Sequence, residues 1–219
     1  MVQILFILLV LGLILYFVFS SDGGSKDSVT LLGGSQPGSV QTSATTLLPR
    51  SFNQPEGATF SYSMWILVND FTTGYGTRRT IFTHGDAPGV YLDSTSNSLV
   101  VTMKTFGMTE SILIPNIPAA KWIHLAIVVN QQAVDIYVNG TLRQHHTLSQ
   151  LPNQPEEEDV VMGPDWSGVV GRIVYYMRSL SYAEVRKLSM ETPPSDLHVK
   201  PAAPNYLDMS WYIGRLNST

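Results

Sequence analysis

The chain has no cysteine. That excludes disulfides, thiolate metal sites and a thiol nucleophile, and it leans towards maturation in a reducing compartment or a bacterium. Charge is scarce too. Only 14% of residues are Asp, Glu, Lys or Arg, against about a quarter in typical domains, so much of the surface must be neutral polar. There is no basic excess: the net charge is −4, which gives no electrostatic footprint for nucleic acid. With 219 residues, 44% of them hydrophobic, the chain can build one large all-β domain with accessories, or two small domains.

The uncharged N-terminus sets the class. Val2 to Phe19, VQILFILLVLGLILYFVF, is interrupted only by Gln3 and Gly12. About 18 apolar residues suffice for a bilayer-spanning helix. A cleaved signal peptide wants a basic n-region and a shorter apolar core, and this segment has neither. Residues 1–19 are therefore read as a transmembrane anchor, with the membrane as partner through residues 2–19. Lys26 is the only nearby basic residue, so orientation is undetermined. Residues 20–44 are rich in Gly and Ser and read as a flexible spacer.

From Ala58 the pattern has period two. In TFSYSMWILV, Phe60, Tyr62, Met64, Ile66 and Val68 share one face, the signature of a half-buried strand. Short strands follow at Thr80–Thr83, Gly89–Leu92, Ser98–Met103 and Ser111–Ile114, separated by turn residues. Trp122–Val129, Ala133–Val138 and Leu142–Thr147 form a three-strand meander, its second turn set by Asn139-Gly140. A strand at Val169–Met177 precedes Ser181-Tyr182-Ala183-Glu184, a capping box opening one short helix. Strands this closely spaced indicate an all-β sandwich. Residues 191–219 form a Pro-rich extended tail.

Three segments, in order, resemble the laminin-G-like branch of the concanavalin A-like lectin/glucanase superfamily. Phe60 to Ile66 is similar to "F-x-x-S-x-W-V". Trp122-Ile123-His124-Leu125-Ala126 with Asp135 to Gly140 is similar to "W-x-H-V-A … L-Y-V-N-G". Gly168 to Glu184 is similar to "G-x-I-D-E-V-R-I-Y-N-R-A-L-S-x-x-E", except that Gly171-Arg172 stands where the family has its acidic pair. The resemblance implies a jelly-roll sandwich of two antiparallel sheets over residues 45–190.

Candidate chemistry is thin. Superfamily glucanases alternate carboxylates along one strand, but the run Glu156 to Asp159 has no such continuation and reads as a solvated loop. A catalytic site is not expected. His145 and His146, adjacent on a strand, point to opposite faces. His124 reads as a core histidine, and His84 beside Asp86 as turn chemistry. No Asp-rich loop supports calcium, so neither a metal nor a cofactor is expected. For glycan binding the loop residues Tyr75, Arg78, Arg79, Asp165 and Trp166 offer aromatic faces with polar neighbours, although Trp166 better suits capping a sandwich edge. Asn139 and Asn217 fit the N-glycosylation pattern. Tyr206, Trp211, Tyr212 and Ile213 make the tail aromatic enough to dock, either on its own domain or on a partner.

Together these readings describe a non-catalytic, membrane-anchored structural or assembly protein that contacts other subunits through a lectin-like jelly roll. One form of this expectation is a virion minor capsid component that ties an internal membrane to a protein shell, by analogy with jelly rolls in virions of large DNA viruses. A glycan-binding surface protein is the alternative, and a glycosidase the remote one.

Overall fold

The structure, a computed structural model, describes residues 27–45, 48–49, 58–154 and 159–194. The anchor stretch, the acidic residues Glu156 to Glu158, the aromatic tail with Tyr206, Trp211, Tyr212 and Ile213, and the Asn217 acceptor lie outside these residues.

Among the described residues, twelve strands and one helix form a two-sheet sandwich. The first sheet has the order β1 (Ser28–Pro37), β12 (Gly168–Tyr176), β3 (Thr59–Val68), β8 (Trp122–Asn130), β9 (Ala133–Val138) and β10 (Thr141–Thr147). The second runs β2 (Thr42–Thr45), β11 (Asp159–Met162), β4 (Arg79–His84), β5 (Gly89–Leu92), β6 (Leu99–Lys104) and β7 (Thr109–Ile114). All pairings between these strands are antiparallel.

The alternation on β3 and β8 builds the core. Phe60, Tyr62, Met64, Ile66 and Val68 meet Ile123, Leu125, Ile127 and Val129 there, and Val90, Leu92, Leu99, Val101 and Met103 join them from the opposite sheet. The expected site of strongest sheet formation, the meander, is present with its turns. Asn139 has φ 51° and Gly140 has φ 73°, the left-handed pair that a two-residue hairpin of this twist requires. The Asn139 side chain also accepts a hydrogen bond from the His124 backbone N–H at 2.9 Å, so the turn residue locks β8 to β9.

The outer face of the first sheet is closed by α1 (Tyr182–Ser189). Val185 of α1 joins Ala126, Val128, Tyr137 and Leu180 in a second apolar cluster. Ser61 Oγ fastens the connection from β12, donating to Arg178 O and accepting from Leu180 N, each at 2.9 Å. Both halves of the capping box are made: Ser181 Oγ accepts from Glu184 N, and Glu184 accepts from Ser181 N at 2.8 Å. Arg178, 2.6 Å from Glu184 and 2.6 Å from Asp27, pulls the Glu184 carboxyl down to about 2. Ser181→Ala should cost about 1 kcal/mol, the usual worth of such a cap, read as a lower urea midpoint at unchanged slope. No loss would mean that Arg178 alone holds the helix start.

Two expectations change. The spacer is shorter than read: β1 and β2 lie inside residues 20–44 or at their border, and the sandwich starts at Ser28. Its first strand gains its place from tertiary pairing with β12, with register shifts at Thr30/Leu32 and Leu32/Ser35. The run ending at Asp159 is not all loop, because Asp159 opens β11 and pairs with Thr45. At Gly171-Arg172, where the family's acidic pair is missing, the β12–β3 register shifts and Arg172 takes φ 44°. Arg172 instead donates to Glu191 at 2.9 Å.

Register fixes two ends of the sandwich. Ser28 pairs with Tyr176, Tyr176 with Ser61, and Thr59 with Asn130. Thr147 pairs with Ala133, and neighbouring His146 bonds Glu110 across the sheets at 2.8 Å. The β6–β7 hairpin turn therefore lies at the Ser28 end. The 69–78, 93–98 and 163–167 loops lie at the opposite, Pro37 end.

Candidate functional site

At the Pro37 end, the two loops that carry the sequence candidates are joined into one surface. Asp70 seeds the first. It accepts from Thr72 N at 2.9 Å and Thr73 N at 2.8 Å, and from both threonine hydroxyls. Partial burial opposes its charge. The hydrogen bonds from Thr73, Ser167 and Thr72 outweigh that and hold its carboxyl well below the usual range. Asn69 N donates to Ser167 O at 2.9 Å, tying the second loop to the first. Asp93 caps the neighbouring loop through Thr95 N and Ser96 N.

Arg79 staples this arrangement from inside. It is 1% exposed, and its guanidinium donates to Phe71 O at 2.9 Å, to Thr73 O at 2.8 Å and to Asp93 O. Those bonds turn the guanidinium inward, away from any ligand. Trp166 is likewise 1% exposed. Its indole fills the space over Gly38, where a Cβ would lie 2.2 Å from the ring. Both residues are corrected here from ligand contacts to structural ones, since neither presents a surface to solvent. Trp166 takes the edge-capping role that the sequence also allowed. Tyr75, Arg78 and Asp165 remain exposed. Arg78 extends over the Tyr91 ring at 3.8 Å, a cation–π contact.

That contact leads to a second feature, which sequence reading missed. The outer face of the second sheet carries an open depression of about 770 Å³ lined by Thr83, Asp86, Tyr91, Lys104, Thr109 and Asp159 among others. Asp86 is its centre: it accepts from the Tyr91 hydroxyl and from Thr102 Oγ1 at 2.9 Å. Burial, with that bond to Asp86 next, raises the Tyr91 pKa. Two carboxylates, a lysine and hydroxyls in one shallow basin can exchange hydrogen bonds with a polar ligand of sugar size. The signal was legible in Gly89–Leu92, where Tyr91 alternates with core-facing Val90 and Leu92 and so must point outward.

The histidines divide as their neighbours dictate. His124 is buried, with Nε2 2.9 Å from Ser63 Oγ and its ring against Trp65. Burial pushes its pKa down to about 4. His84 is buried beside the Tyr62 hydroxyl at 3.3 Å rather than in an open turn. His145 pairs with Asp135 at 2.6 Å, and His146 pairs with Glu110. Among the described residues no three His, Asp or Glu side chains are grouped to hold a metal ion. Asn139 is exposed in its turn, with its amide oxygen engaged by His124.

Comparison with known proteins places this geometry. A laminin-G-like family model of the concanavalin A-like lectin/glucanases superfamily matches residues 35–186. No curated protein sequence matches. Among solved structures, the botulinum neurotoxin serotype D ligand binding domain in complex with N-acetylneuraminic acid aligns with TM-score 0.60 at 13% identity, covering 76% of this chain and 47% of that one. The receptor binding domain of botulinum neurotoxin D gives TM-score 0.59 at 14% identity, with 76% and 48% covered. The chain thus spans about half the length of these structures, and at such identity the likeness is one of fold. With the family match running across both sheets and into the capped helix, the chain belongs to the laminin-G-like family of the concanavalin A-like lectin/glucanase superfamily.

Proposed function

We propose that this protein is a non-catalytic, membrane-anchored structural or assembly protein, whose jelly roll makes contacts with other protein subunits at its Pro37 end. One observation carries the reading: the 69–78 and 163–167 loops are braced by Arg79, Asp70 and Trp166 into a fixed surface at the end away from Ser28. A rigid surface pays little ordering entropy on binding, and Tyr75, Arg78 and Asp165 stand exposed on it. Residues 2–19 anchor the opposite side, so the sandwich spaces a membrane from a partner layer, as a component joining an internal membrane to a protein shell does.

The depression around Asp86 supports a second reading, a glycan-binding surface protein. One fold neighbour was solved in complex with N-acetylneuraminic acid, and this chain aligns with 47% of it, which lends this reading support. One experiment separates the two. A photo-crosslinker at Tyr75 of the full chain in its native membrane should yield one discrete adduct with a protein subunit, lost in an Arg78→Glu variant. Specific glycan-array binding abolished by Asp86→Asn, with no subunit adduct, overturns the assembly reading in favour of the lectin.

A further inference from the structure

The Ser28 end carries a feature that neither reading uses. Phe106 is 69% exposed, Met108 67% and Leu151 38%, and all three sit on or beside the β6–β7 turn. Apolar side chains gathered at one projecting point mark an interaction site more strongly than single exposed residues do.

The turn cannot fold these side chains back. Thr105 Oγ1 accepts from Gly107 N at 3.1 Å and Met108 N at 3.0 Å, and donates to Met108 O at 2.7 Å. Phe106 N donates to Leu151 O at 3.1 Å, Asn153 N donates to Lys104 O at 2.8 Å, and Thr105 bridges to Pro152. The 148–154 segment thus splints the hairpin from the side while Phe106 and Met108 point outward.

Strand register puts this tip at the end where the chain enters the sandwich. Asp27 O accepts from Met177 N at 2.7 Å, so the entry point is pinned there. Phe19 ends the apolar stretch eight positions earlier. A chain of that length reaches at most ~28 Å, which holds the Ser28 end close to whatever bilayer residues 2–19 occupy.

We propose that the Phe106–Met108 hairpin tip, with Leu151, docks into the interfacial region of the bilayer that holds the N-terminal anchor. This rests on the anchor reading of residues 2–19. Apolar and aromatic side chains favour that depth, and the docking fixes the tilt of the sandwich, turning Tyr75 and Asp165 outward from the membrane. Glu110 lies beside the tip, and the sequence between Gln154 and Asp159 is acidic, so the association is apolar and does not require anionic lipid.

The absence of native cysteine permits a direct test. The full chain carrying Met108→Cys, labelled with an environment-sensitive fluorophore, is reconstituted into phosphatidylcholine vesicles beside a Tyr75→Cys control. The expected result is blue-shifted emission at position 108, quenched by bilayer-embedded nitroxide lipid, with position 75 water-exposed. A water-exposed position 108 in protein that floats with the vesicles overturns the docking and leaves the anchor intact. Shielding from aqueous iodide without nitroxide quenching assigns the tip to a second copy and overturns it equally. Protein that fails to float removes the anchor, and the docking falls with it.

Discussion

Trp166→Ala is expected to destabilise the domain by about 3–5 kcal/mol, the range for emptying a fully buried aromatic site. Domain stabilities are about 5–15 kcal/mol, so this one change removes a large part of the total. The site collapses poorly. The indole is held between Gly38 and Gly168, and a Cβ on either glycine would fall 2.2 or 2.3 Å from the ring, so two backbone segments wall the space. Chemical denaturation checks the value, and Trp166→Phe, which keeps much of the volume, should lose distinctly less. A Trp166→Ala loss below about 1 kcal/mol would mean that the indole does not fill this site. The consequence for ligand studies is direct: lost binding in Trp166→Ala reports a damaged scaffold. Tyr75 and Arg78 are exposed, and substitutions there probe the surface without emptying the core.

Acid should destabilise the fold through His124. Its folded pKa lies near 4 because burial penalises the imidazolium, while an unfolded histidine titrates near 6.5. The unfolded chain therefore binds the extra proton between these values, and stability falls as pH drops from about 6.5 to about 4. The span corresponds to roughly 3 kcal/mol at 1.36 kcal/mol per pH unit. Above 6.5 the group contributes no slope. The carboxylates with lowered pKa, Glu110, Glu184, Asp70 and Asp93, lose their contributions only as pH falls through and below the ordinary carboxylate range. Urea midpoints of wild type and His124→Gln between pH 4.5 and 7 isolate the term, since glutamine can still meet Ser63 Oγ but does not titrate. Parallel pH curves for the two proteins would rule the mechanism out.

Sequence periodicity found the elements that make their own case. β3, β8 and β9 alternate visibly, and Asn139-Gly140 states its turn in two residues. β1 and β2 were hidden because their residues are largely half-exposed or exposed. With Gly33 and Gly34 in the middle, β1 becomes a strand only through its pairing with β12. The same physics explains the site. Trp166 sits among Asp165, Ser167 and Gly168, neighbours that signal a solvent loop, and its burial depends on Gly38, more than a hundred residues away. Arg79 reads in the sequence as a loop-borne glycan contact beside Arg78. Only the fold reveals that three carbonyls converge on it. Asp86 and Tyr91 read as turn and strand, and they form a basin because β5 and β6 bring Thr102 alongside.

The strands at the sheet edges bear on how copies coexist. β10 is polar, with its residues mostly exposed and a register shift between Leu142 and Gln144, while β1 carries two such shifts and β2 is four residues long. A membrane tether of the kind proposed above would confine molecules to two dimensions, with neighbours colliding sideways where open backbone edges zip into continuous sheets. Irregular, hydrated or very short edges resist that zipping. Three of the four edges are guarded in this way, and the fourth, β7, is a regular six-residue strand with unbroken register.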